Sequence, residues 1–204
     1  EFVISMGTSY TETLKTFSIE NLPDLDVVVM GSLELFMTEG LPSIDTTSFK
    51  HPLVVGSGNA AVIGRILFEG TDAIFADEST YRDHLESTPE IDGGIIISAS
   101  GGKHAVSIAA YLKSKNINTI LLTNNNAALA GEHLEKKNIT VFPKNREPYT
   151  YNTSTYMSMI FSKTKEDPQE IYDFITHQVV GCIPETLGNY DAFYFIVPAK
   201  FDTL

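Results

Sequence analysis

The sequence predicts an α/β domain built on a parallel sheet, and three observations carry that prediction. From residue 50 onward, short apolar runs alternate with segments of helical spacing, which is the signature of βαβ units with right-handed crossovers. The apolar runs are nearly unbroken, as expected of strands covered by helices on both faces. Between strand and helix lie polar, glycine-bearing turns, the places where such sheets present ligand-binding backbone.

Taken in order, residues 1–6 and 26–30 (DVVVM) are candidate strands and 8–17 a candidate helix. Residues 1–48 form an N-terminal segment of unassigned role. Residues 51–56 (HPLVVG) predict a buried strand and 60–69 (AAVIGRILFE) a helix. A short strand at 72–77 (DAIFAD) and a β-branched one at 94–98 (GIIIS) follow. Residues 104–115 predict a helix whose basic end suits its C-terminal dipole. A strand over 118–123 (NTILLT), a helix over 127–137 and a strand over 139–142 (ITVF) continue the alternation. A helix containing YMSMIF comes next, then a polar joint at 163–168 (KTKEDP). Asp167-Pro168 opens a further helix, to about residue 180, with proline in its first turn. Residues 189–198 (NYDAFYFIVP) read as another strand.

Composition narrows the function classes. Of 204 residues 43% are hydrophobic and 20% charged, enough for a real core in one domain, or one domain plus extra pieces. Lys+Arg is 14 against Asp+Glu 26, a net charge of −12 that repels phosphate backbones and anionic lipid, so neither a nucleic-acid nor a membrane partner is expected. A small anionic ligand stays possible, because a few backbone N–H groups outweigh a distant net charge at one spot. The single cysteine, Cys182, excludes an internal disulfide and a multi-thiolate zinc site, fits a reducing, cytoplasmic setting, and is expected to be buried and inert. His51, His84, His104, His133 and His177 lack ligand-like spacing, so no metal is expected; His133 is expected on the exposed side of a lysine-rich helix. No apolar run nears the roughly 18 residues of a membrane span, and EFVISMG lacks the basic start of a signal peptide. A chain that begins at Glu1 and ends just after a strand reads as a fragment or a processed product.

Three constellations could carry chemistry. Gly56-Ser57-Gly58-Asn59-Ala60-Ala61 matches G-x-G-x-x-A between a strand and a helix, where glycines let backbone approach a phosphate at a helix N-terminus. Asp77 closes the next strand, where a dinucleotide fold places its ribose ligand. The competing reading is a glycine-rich turn with no ligand. Ser98-Ala99-Ser100-Gly101-Gly102-Lys103-His104 gathers two hydroxyls, two glycines and a lysine at one helix N-terminus. Ser98 and Ser100 can donate to phosphate oxygens, Gly101 and Gly102 let backbone N–H groups form a nest, and Lys103 adds charge. A bare N-cap would explain one serine but not the rest. Glu147-Pro148 and Asn152-Thr153-Ser154-Thr155 place an acid and small polar side chains before a helix; they suit sugar hydroxyls or, equally, capping. All three follow strand carboxyl ends, the ligand edge of an open parallel sheet.

Together, the glycine turn, ISASGGKH, ILLTNN and the EP…NTST segment resemble the sugar isomerase (SIS) domain family over residues 50–165, most specifically at Ser98-Ala99-Ser100-Gly101, which is similar to the family's S-x-S-G phosphate loop. Residues 76–83 (ADESTYRD) also look like the family's second-strand ending. The resemblance implies a flavodoxin-like three-layer α/β sandwich with a five-stranded parallel sheet. It implies a sugar phosphate as ligand with its phosphate on the serine loop, no cofactor, and a homodimer or a tandem second SIS domain. On that basis residues 49–165 form the phosphosugar-binding domain, and 166–204 a linker helix and the start of a second copy. Lys103 stands where the family usually has Thr, and Gly58 where it often has Ser or Thr. The activity implied is aldose–ketose isomerisation of a sugar phosphate in carbohydrate metabolism, through an enediol, with Glu147 or Glu78 as candidate base. Two alternatives stay open: an NAD-binding Rossmann oxidoreductase resting on Gly56, Gly58, Ala61 and Asp77, and a sugar-phosphate sensor without catalysis.

Overall fold

The computed structural model describes residues 9–148, 151–184, 186–192 and 194. Two helices, α1 (Tyr10–Thr16) and α2 (Leu25–Glu39), precede the sheet. Then come β1 (Pro52–Val55), α3 (Asn59–Leu67), β2 (Ile74–Ala76), α4 (Tyr81–Ser87), β3 (Gly93–Ile97), α5 (Lys103–Ser114), β4 (Thr119–Thr123), β5 (Ile139–Val141), α6 (Thr153–Thr164) and α7 (Pro168–Phe174). All strand pairs are parallel, in the order β2-β1-β3-β4-β5. That is the flavodoxin-like order, not the six-stranded order of the dinucleotide fold.

The period-2 geometry of the strands divides the core between two faces. Leu53, Val55, Ile96 and Leu121 pack with Ala105, Ile108, Ala109 and Leu112 of α5 and with Tyr81 of α4. Val54, Ile95, Ile97 and Leu122 face the other way, onto Ile63 and Leu67 of α3 and Met159 of α6. The triple isoleucine of β3 thus serves both faces, which is why it is an unbroken apolar run. A third cluster joins Met30, Leu33, Leu35 and Phe36 of α2 to Phe161 of α6, with Ile171 and Tyr172 of α7 against it. Through that cluster α2 packs onto the same body as the sheet.

Several expectations are corrected. Residues 26–30 are not a strand: three valines favour β structure locally, but the apolar pattern runs on through residue 36, and packing on α6 and α7 keeps the segment helical. Residues 127–137 are not one helix but two 3₁₀ turns, Leu129–His133 and Lys136–Asn138. Gly131 interrupts the run, and a Cβ there would lie 2.9 Å from Ile139 Cδ1, so the segment is shaped by its return to β5. His133 accordingly ends a 3₁₀ turn and is half-buried, not on the open side of a helix. Cys182 is exposed, not buried, because the segment after α7 packs on its neighbours over a narrow strip. The expected helix to residue 180 forms as α7, a wider π-type turn at Ile175–Val179 and a final turn at Val180–Cys182. Asp167 caps it, accepting from Gln169 N–H at 2.8 Å. Of the strand expected over 189–198, Asn189 closes a 3₁₀ turn (Leu187–Asn189) and residues 190–192 and 194 are not in a strand. The remainder, like the expected strand over 1–6, lies outside the described residues.

Candidate functional site

The carboxyl ends of β1, β3, β4 and β5 open onto one cleft of about 850 Å³. Its floor is the end of the central strands, Val55, Ile96 and Ile97; its walls are the loops that leave them. Such a crevice is where an open parallel sheet places its ligand.

The loop after β3 is the most constrained part. Gly101 has φ +58°, and a Cβ on it would stand 2.4 Å from Ala128 Cβ, so only glycine fits both the turn and the space. Gly101 N–H donates to Ser98 Oγ at 3.2 Å and Gly102 N–H to Ser100 Oγ at 3.3 Å. Each hydroxyl therefore accepts from its own loop and keeps its proton for an outside acceptor. The residues after β4 brace the loop from behind. Thr123 Oγ1 donates to Ala99 O at 2.9 Å, Asn124 N–H to Ala99 O at 3.0 Å, and Asn125 Nδ2 to Ser100 O at 3.0 Å. Ser98 and Ser100 line the cleft at the N-terminus of α5, where first-turn N–H groups lack intrahelical partners.

The loop after β1 places Gly56 and Ser57 on the cleft wall, while Gly58 and Asn59 are exposed and do not line it. A Cβ on Gly56 would lie 2.9 Å from Ala60 C and O, so close helix-to-strand packing accounts for this glycine. Ser57 Oγ donates to Glu78, and both line the cleft. Asp77 has a folding role of its own. Its carboxylate accepts from the hydroxyls and N–H groups of Ser79 and Thr80, which hold it at about 2, with the Ser79 hydroxyl contributing most. Asp77 lies on a smaller cavity beside Arg65 and Phe75, not on the main cleft.

After β5 the chain runs through Lys144, Asn145, Arg146 and Glu147, all on the cleft wall. Asn145 is the anchor: it is buried, donates from Nδ2 to Gly31 O at 2.7 Å and from its N–H to Ser154 Oγ at 3.0 Å. Glu147 accepts from Thr153 N–H at 2.7 Å and Ser154 N–H at 3.1 Å, and also from the Ser154 hydroxyl. A carboxylate there suits the positive end of α6, and most of its lone pairs are taken. Asn152 lines the cleft; Thr153 and Ser154 do not. Tyr156, on the first turn of α6, also lines it, and burial pushes its phenol above the ordinary range, so it stays a donor.

The fold therefore brings Gly56, Ser57, Glu78, Ser98, Ser100, Glu147 and Asn152 to one cleft. Gly101 and Gly102 shape it from behind, and Lys103 begins α5 with an exposed side chain off the cleft wall. Reading the sequence did not single out His104, Asn124, Asn125, Lys144, Arg146 or Tyr156, which also line the cleft. The signal was available: Asn124 and Asn125 directly follow β4, and Lys144 and Arg146 follow β5, on the same sheet edge as the serine loop. Among the described residues no group of three or more His, Cys, Asp or Glu could hold a metal ion, and no helix is long and apolar enough to cross a membrane.

No protein-family model and no curated protein sequence matches the chain. Solved structures do. The Escherichia coli CFT073 protein c3406, in complex with a sugar phosphate, superposes with TM-score 0.54 at 14% identity, over 74% of this chain and 88% of that one. The Vibrio vulnificus NanR protein complexed with ManNAc-6P superposes with TM-score 0.51 at 19% identity, over 75% of this chain and 69% of that one. The fold is thus SIS-like, an α/β sandwich of flavodoxin-like strand order, shared with proteins solved with sugar phosphates bound.

Proposed function

We propose that the chain binds a phosphorylated sugar in this cleft, with the phosphate on residues 98–103. The observation that carries the reading is the serine loop: two hydroxyls with protons to spare, held by backbone N–H groups at the start of α5. Asn124, Asn125, Asn152 and Tyr156 supply the amide and phenol donors that sugar hydroxyls need. The sugar phosphates carried by two proteins of the same fold support it. Residues 49–165 are the binding unit in this reading, in the cytoplasm. A second SIS-like unit, in a homodimer or in tandem, lies beside the cleft.

The chemistry we assign to the site is aldose–ketose isomerisation by proton transfer between C1 and C2. Glu78 is the better placed base of the two acids, because Glu147 is engaged by the N-terminus of α6. A base must have a lone pair within reach of the carbon-bound proton. Calorimetric titration with five- and six-carbon sugar phosphates tests the binding. Saturable binding that the double variant Ser98→Ala/Ser100→Ala removes is expected; unchanged affinity in that variant rejects it. Hydrogen exchange at C2 of the bound sugar in deuterated water tests catalysis. Binding without exchange gives the chain a sensor's role instead.

A further inference from the structure

The cleft has two cation-friendly ends, and the sugar-phosphate reading uses one. The serine loop leaves β3, at the centre of the sheet; Lys144 and Arg146 leave β5, at its edge. Two strand spacings separate those exits, about 10 Å. In a chain of net charge −12, two cations on one wall of the main cleft are a local exception to the acidic surface.

Neither cation is neutralised. Lys144 forms no hydrogen bond or ion pair with any described residue. Arg146 donates from Nη1 to Lys15 O at 2.5 Å and stacks on the Phe17 ring at 4.4 Å. That hold fixes the guanidinium without cancelling its charge and leaves most of its donors unused. The end of α1 thus positions Arg146, a use for the N-terminal segment that its packing on α2 does not supply. The two acids of the cleft do not cancel these cations. Glu147 is engaged by Thr153 and Ser154, and Glu78 sits with Ser57 on the β1 side. The intervening Asn145, pinned to Gly31 and Ser154, holds this stretch in place on the cleft wall.

We infer that the ligand carries a second anionic group, a carboxylate, at the end of its carbon chain opposite the phosphate, and that Lys144 and Arg146 bind it. The ligand is then a phosphorylated sugar acid, or a sugar phosphate bearing an acidic substituent, and a five- or six-carbon chain is about long enough to reach both ends. The inference rests on the phosphosugar reading and deepens it.

The test compares matched pairs on the full chain by calorimetry: arabinose 5-phosphate with 5-phosphoarabinonate, and glucose 6-phosphate with 6-phosphogluconate. Each is titrated into the wild type and into Lys144→Gln/Arg146→Gln. The expected result is tighter binding of the acid in at least one pair, by about tenfold or more, as a charge-assisted pair gives. In the double variant that preference should fall to about one while the aldose phosphate keeps its affinity, which also shows the variant is folded. Phe17→Ala should lower the preference in part. Equal binding of acid and aldose in both wild-type pairs overturns the inference and leaves the phosphosugar reading standing, as does a preference that survives the double variant. Failure of all four compounds to bind overturns both.

Discussion

Two strand-to-helix turns of this protein look alike in sequence and differ in chemistry. Both the turn after β1 and the turn after β3 pair glycines with serine, and both border the cleft. In the first, the glycine is explained by its contact with the Ala60 backbone, and the serine hydroxyl already donates to Glu78. In the second, the hydroxyls accept from the turn's own N–H groups and keep their protons free. A glycine motif thus reports a steric need; what a turn can bind is decided by which donors its own fold leaves over.

The sharpest way to break the contrast is at the serines. Ser98→Ala/Ser100→Ala should weaken sugar-phosphate binding about a hundredfold or more, since each hydrogen bond to a charged group contributes roughly 1.5–3 kcal/mol. Ser57→Ala should change it by less than about threefold, because that hydroxyl is already spoken for; calorimetry reads both. Next in size is Gly101→Ala, which puts a methyl group against Ala128 and forces a positive φ on alanine. It should lower the folding free energy by about 1–3 kcal/mol in urea denaturation and weaken binding with it. Gly56→Ala should cost about as much stability through the Ala60 backbone but spare the affinity of the folded fraction.

The smallest expected effect concerns pH. Asp77 is held at about 2 by Ser79 and Thr80, below its unfolded value near 4. Its contribution is fully present above the unfolded value and is lost as pH falls through about 2. Because this carboxylate is largely solvated, the effect is modest. Asp77→Asn should flatten the acid limb of the stability curve, read by urea unfolding between pH 5 and pH 2, and leave phosphate binding at neutral pH unchanged. If the variant instead loses sugar-phosphate affinity, Asp77 belongs to the ligand site and the contrast between the two turns fails.

The strands were legible because their apolar runs are short, unbroken and bounded by turn residues, and the sheet buries both faces of Ile95, Ile96 and Ile97. The serine loop was legible because its residues have no other reason to be together. What escaped was set by tertiary contact. The valines of 26–30 are helical because of what α2 packs on, and residues 127–137 coil tightly because β5 must be reached. Cys182 looked apolar by its neighbours, yet the segment after α7 leaves it in solvent. Lys144 and Arg146 carry no motif at all. Only the strand order, with β5 at the edge two strands from β3, turns them from surface charges into the far wall of a cleft.

The most direct measurement is residue-resolved amide NMR during titration with a sugar phosphate that binds. The account predicts that the N–H signals of Ala99 through His104 move together and saturate with the ligand, while those of Gly58 and Asn59 stay in place. A titration that shifts the turn after β1 and leaves the turn after β3 untouched would contradict it.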